Sequence, residues 1–187
     1  MTTNRKIAEI LKTTDRFGGV YFYDELDYIN ELDNKVIVLN YVTRQEAIYG
    51  KVGHYVVIDN RIGLEKGQDN WQGCYYFGPY GIYPDKARHY LNLPNTGNVE
   101  RFLNRIAPSG WKVNTTDFQV KQPWDDLCGI WAMIYVRGPN FRTNPYFNKG
   151  INRTDLDQEL KSIFTQLKVL GNGYFDKINK ARQLISI

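Results

Sequence analysis

CGIWAMIYV, residues 128–136, is almost wholly apolar. It is either a buried helix or a buried strand, because periodicity does not separate the two in so short a run. Read as a helix, it begins on Cys128, behind the turn-like, acidic approach QPWDDL at 122–127. That places a cysteine in the positive end of a helix dipole, where thiolate is favoured. The same residue read as core packing is an ordinary small apolar side chain.

Working outward, VIVLNYV (36–42) is β-branched and apolar and predicts a buried strand. HYVVIDN (54–60) and WQGCYYFG (71–78) predict two more, joined by the turn region RIGLEKGQDN. FGGVYFYDEL reads as a glycine break followed by a short aromatic segment, and WKVNTTDFQV (111–120) alternates like a strand. Helices are expected at TNRKIAEILKT, at PDKARHYLNL with Pro84 in the first turn, and at TGNVERFLNRIA with Val99, Phe102, Leu103 and Ile106 on one side. Two more close the chain, one opening on Thr154 and one at YFDKINKARQLIS. The order of elements predicts a single α+β domain over residues 1–187. A small mixed or mainly antiparallel sheet is flanked by helices, the C-terminal ones at about 154–186.

Composition excludes several classes. At 187 residues, with 42% hydrophobic and 24% charged side chains, the chain suits one soluble globular domain. The start, MTTNRKIAEILKTTD, does not read as a signal peptide, and no run is long enough to span a membrane. Two cysteines, Cys74 and Cys128, make no disulfide framework and suit a reducing compartment. With His54 and His89 as the only histidines, no metal-ligand spacing appears. The net charge of +4 allows an anionic partner without demanding one.

If the second and third strands form a hairpin centred on Lys66, His54 faces Gly78 and Ile58 faces Cys74. His54 then opens a strand at a sheet edge, held either by local hydrogen bonds or as a base in a site. A cysteine with a distant histidine is the minimal pair for acyl transfer. Gly129 would let a carbonyl approach the backbone beside Cys128, and Gln122 could add a side-chain donor for an oxyanion. His89 and Cys74 read as structural, Asp125 and Asp126 as the turn into the helix, and Trp124 and Trp131 as packing beside the cleft. Lys161, Lys168, Lys177, Lys180 and Arg182 read as a solvated face.

Taken together, GHYVVID, CYYFGPYG and Q-P-x-x-x-x-C-G resemble the adenovirus-protease and SUMO-protease superfamily of cysteine peptidases. The step from Gln122 to Cys128 matches that superfamily's Q-x5-C-G, and CYYFGPYG is similar to the adenovirus enzyme's CYLFEPFG. FGGVYFYDEL also resembles the N-terminal segment of such viral enzymes, so the likeness covers roughly residues 1–140. It implies an adenain-like fold with the nucleophile at a helix N-terminus. His54 is then the general base, Cys128 the nucleophile, Gln122 an oxyanion donor, and Tyr55, Trp124 and Gly129 cleft residues. Two positions depart from the pattern. Gly78 stands where the family has its Asp or Glu, and Tyr55 where it has Trp, still able to cover the imidazole. Asp59 is a poor substitute for the acid, about 16 Å along the same strand and on its other face. Asn40 on the neighbouring strand could orient His54 as a neutral amide, with a backbone carbonyl or a water as equal alternatives.

The resemblance implies a viral endopeptidase that matures capsid or virion precursors, cutting after small residues. It would act inside the host cell and in the virion, as a monomer, and need no cofactor for its chemistry. The family precedent leaves activation by DNA or a peptide open. Two alternatives stand beside it: a peptidase that deconjugates a ubiquitin-like modifier, and a degenerate protease fold that binds virion protein or nucleic acid.

Overall fold

The computed structural model describes residues 3–64, 66, 71–114, 127–137 and 165. The two expected C-terminal helices, and Gln122, Trp124, Asp125 and Asp126, lie outside that set. The structure is mixed α/β, built on one five-stranded sheet with helices on both faces.

The strands lie in chain order: β1 (Phe17–Phe22), β2 (Val36–Asn40), β3 (Tyr55–Asp59), β4 (Cys74–Phe77) and β5 (Trp111–Val113). The inner pairings, β2 with β3 and β3 with β4, are antiparallel; the outer two are parallel. Parallel neighbours need crossovers. The first carries a 3-10 stretch, Tyr23–Tyr28. The second carries a 3-10 turn, Pro84–Lys86, then helices that we number α3 (Ala87–Tyr90) and α4 (Asn98–Ile106). The strand expected over 111–120 is described only as far as Asn114. A strand missed by the sequence reading is β1. Its glycines do not break the chain. Gly19 takes φ +119°, and a Cβ on Gly18 would sit 3.1 Å from Ile37, so the pair lets β1 approach β2 closely where the register shifts.

Because both faces are covered, the central strands are apolar throughout instead of alternating. Val36, Val38, Tyr55, Val57, Tyr75 and Phe77 pack on one face against α1 (Asn4–Leu11) and α5 (Cys128–Arg137). Ile37, Leu39, Val56, Ile58, Cys74 and Tyr76 pack on the other, with Val99, Phe102 and Leu103 of α4. The run CGIWAMIYV is therefore a helix, and it is apolar all round because Cys128 to Val136 are all buried. A short helix, α2 (Arg44–Ile48), precedes β3. Its capping box is formed by Thr43, which accepts from the Glu46 amide, and Glu46, which accepts from the Thr43 amide.

One end of β3 is held by charges. Asp59 is fully buried and accepts from Arg61 Nε (2.9 Å) and Nη2 (3.0 Å) and from the Tyr135 hydroxyl (3.0 Å). The buried Lys66 ammonium lies 3.8 Å from the same carboxylate and donates to the carbonyls of Asp59 and Gly73. Burial alone would raise the Asp59 pKa, but Arg61 and Lys66 hold it below the usual value. Asp59 is thus committed here, at the opposite end of the strand from His54.

Candidate active site

Two elements set the site: the start of β3 and the start of α5. The last turn of α5 is fixed over the Asp59 end of β3. Tyr135 stacks on Phe77 with ring centroids 5.0 Å apart, and the Val136 carbonyl accepts from Arg61 at 3.3 Å. About two turns earlier, roughly 10 Å back along the helix, Cys128 shares an apolar cluster with Tyr55, the first residue of β3. α5 thus packs on β3 through the cluster that holds both Cys128 and Tyr55, next in sequence to His54. Cys128 is in no disulfide and is 5% exposed, with Gly129 buried beside it. Cys74 is buried in β4, and burial pushes its thiol up to about 12, which leaves it inert.

His54 is 1% exposed. Its carbonyl accepts from the Tyr41 amide, which fixes the backbone against β2. Its ring lies flat on Tyr80, centroids 4.0 Å apart and planes 5° from parallel, with the Tyr41 ring 6.0 Å away. Neither ring nitrogen has a hydrogen-bond partner among the described residues. The expected local hydrogen bonds are therefore absent, and so is one to the Cys128 sulfur. Burial alone lowers the ring's pKa to about 3, so it is neutral near pH 7. Strand alternation continues the face of Val56 and Ile58 to His54, while Cys128 packs on the face of Tyr55 and Val57. The two side chains therefore belong to opposite faces of the sheet.

The hairpin register differs from the expected one. Val57 pairs with Phe77 and Ile58 with Tyr76, so His54 continues opposite Tyr80 rather than Gly78, and Ile58 does not face Cys74. The connection is lopsided. Arg61 and Lys66 both turn inward to reach Asp59, and Lys66 bridges Trp71 outside the strands' register. Nothing in the turn composition signals that inward pull.

Tyr55 does not cover the imidazole; Tyr80 does. Tyr55 points to the other face, where its hydroxyl donates to Asn4 at 3.0 Å. Asn40 does not orient His54 either. Its amide nitrogen donates to Asn4 (2.9 Å), and its oxygen receives the Val42 amide (3.4 Å). It also lies opposite Tyr55, on the α5 face. What Asn40 shapes is the backbone just before His54. A Cβ on Gly53 would fall 1.9 Å from its amide oxygen, so only glycine fits there.

Gly78 is held by an amide clamp. Its N–H donates to Asn114 Oδ1 at 2.8 Å, and Asn114 Nδ2 donates to its carbonyl at 2.7 Å. The space above it is filled. A Cβ there would meet Tyr76 Cε1 at 2.9 Å and its hydroxyl at 3.3 Å. The Tyr76 hydroxyl lies 2.6 Å from that of Tyr41, which in turn donates to the Pro84 carbonyl. Burial raises both phenol pKa values far up, so both are neutral. Tyr41, Tyr76, Tyr80 and Asn114 were not singled out from the sequence. The abundance of tyrosine was the one available signal.

Among the described residues, no group of three His, Cys, Asp or Glu side chains is placed to hold a metal ion, and no helix is long and apolar enough to cross a membrane. His89 is exposed on α3. No protein-family profile matches the chain, and no curated protein matches it as a relative.

Proposed function

We propose that this chain is a cysteine endopeptidase of the adenovirus-protease type, cleaving viral capsid or other virion precursors after small residues. The supporting observation is that α5 begins on Cys128 and packs on β3, with Cys128 in one apolar cluster with Tyr55, the residue after His54. In the proposed reaction His54 takes the Cys128 proton, and the sulfur attacks the peptide carbonyl. The Gln122 amide and backbone N–H groups at the start of α5 stabilise the oxyanion. The imidazolium then protonates the leaving amine, and water releases the acyl group. His54 must turn around the strand end to meet the sulfur, because its ring now rests on Tyr80. DNA or a peptide that favours the turned state would act as an activator.

The test is co-expression with a capsid precursor. Cys128→Ala is expected to abolish processing while the fold persists; processing at the wild-type rate would overturn the proposal.

A second reading is a protease-like fold retained for binding. It is favoured by Gly78 and by His54, which is neutral and has no hydrogen-bond partner on its ring among the described residues. Alkylation kinetics separate the two: an enzyme shows fast, pH-dependent modification at Cys128, and a binding scaffold shows the slow rate of an ordinary buried thiol.

A further inference from the structure

Three features around Gly78 point to one role. The first is occupancy. The place from which an acid at residue 78 would project is taken by the Tyr76 ring, whose hydroxyl would be 3.3 Å from a Cβ there. The second is polarity. A carbonyl can only accept, so the single proton of Tyr41 is committed to Pro84. Tyr76 must then donate to Tyr41 across their 2.6 Å contact, which leaves the lone pairs of its own oxygen to accept. The third is the histidine. His54 lies on the same face as Tyr76, buried, with both ring nitrogens lacking a hydrogen-bond partner among the described residues.

We propose that Tyr76 is the positioning residue that replaces the missing acid, its hydroxyl oxygen accepting an N–H from His54 while Tyr41 and the Pro84 carbonyl hold that hydroxyl in place. The inference rests on the peptidase reading above. When the Cys128 S–H bond breaks, its electron pair stays on sulfur and the proton goes to the ring nitrogen facing it. The other ring nitrogen keeps its proton and donates it to Tyr76. The Tyr76 proton stays directed at Tyr41, so no phenolate forms. A neutral acceptor stabilises imidazolium less than a carboxylate does, but it still fixes the tautomer and the ring plane. The other groups around the ring are the phenols of Tyr41 on β2, Tyr80 beyond β4 and, behind Tyr80, Tyr90 on α3. The charged groups nearest the Tyr41–Tyr76 pair are Asp85, whose field reaches both phenols, and Arg88, which donates to the Tyr41 carbonyl at 2.7 Å and is paired with Glu46.

The experiment is the pH dependence of Cys128 alkylation by iodoacetamide in the full chain, with modified sites mapped by mass so that Cys74 serves as an internal reference. Wild type is expected to show a thiolate midpoint below that of a free thiol. Tyr76→Phe keeps the ring and removes the oxygen. It should raise the midpoint by about one pH unit, a roughly tenfold slower reaction at the acid end. Tyr76→Leu combined with Gly78→Glu supplies a carboxylate and the room for it, and should return the midpoint to the wild-type value or below. A low wild-type midpoint that Tyr76→Phe leaves in place overturns the inference and spares the peptidase reading. An ordinary thiol midpoint in wild type overturns both. Should Tyr76→Phe not fold, Tyr41→Phe tests the same chain from its far end, with the same midpoint rise expected and an unchanged midpoint counting against the idea.

Discussion

The two ends of β3 are built on opposite plans. At the Asp59 end every charge meets a partner: a carboxylate, a guanidinium, an ammonium and a phenol are buried together. At the His54 end the ring itself meets only phenols: Arg88, buried nearby, is bonded to the Tyr41 carbonyl and Glu46, and the imidazole is buried with neither nitrogen bonded among the described residues. A paired buried cluster fixes geometry. An unpaired buried polar group costs about 1–3 kcal/mol, and such exceptions in a folded protein mark sites with another use. The strand is thus tied down at one end and carries an unsatisfied polar ring at the other.

The contrast can be broken hardest at the charged end. Asp59→Ala leaves Arg61 and Lys66 buried without their anion and is expected to cost about 3–5 kcal/mol, measured by urea unfolding. A loss under about 1 kcal/mol would mean the cluster is not the anchor of α5.

The next effect is in pH. Native His54 binds its proton only near pH 3, whereas an unfolded histidine binds it near 6.5. Between those values the unfolded chain holds the extra proton, so stability is full above pH 6.5 and falls as the pH drops toward 3. The slope is about 1.4 kcal/mol per pH unit. Asp59 is shifted in the same direction but in a lower window: its contribution is present above the ordinary carboxylate value and is lost only below it. His54→Phe should therefore flatten the slope from pH 6.5 to 4.5 and leave the acid loss below that window. Equal slopes in wild type and variant would refute the buried, neutral histidine.

The smallest effect sharpens the comparison at the His54 end. Gly53→Ala drives a methyl into the Asn40 amide and should cost about 1–3 kcal/mol. With Asn40→Ala already present, the added cost of Gly53→Ala should shrink, a non-additivity read from the four unfolding curves.

Much of this was legible in the sequence. The apolar runs at 36–42, 54–60 and 71–78 became β2, β3 and β4, and the stripe of Val99, Phe102 and Leu103 became the buried side of α4. The run at 128–136 was ambiguous because a helix buried on all sides has no polar face to reveal its period. β1 was hidden by Gly18 and Gly19, which look like a break but permit close strand approach. Within the site, His54 and Cys128 stood out by residue type and motif. Their surroundings did not. The register depends on two cations folding inward, and no local rule links Lys66 to Asp59. Asn40 was on the right strand but on the wrong face for His54, because one residue of register changes the side of the sheet. The filling of the space over Gly78 by Tyr76 is a matter of packing two residues apart on one face, visible only once the strand is in place.

The sheet's weakest seam lies behind the histidine. Among the described residues β5 is three residues long and at the sheet's edge, and it returns to β4 only after the long segment 78–110. Short edge pairings closed by long connections open at the lowest free energy. Opening of that seam would release Gly78 from Asn114, two residues before Tyr80. Solvent would then reach the imidazole from the back, through the sheet's own margin, long before the centre of the molecule exchanges a single amide.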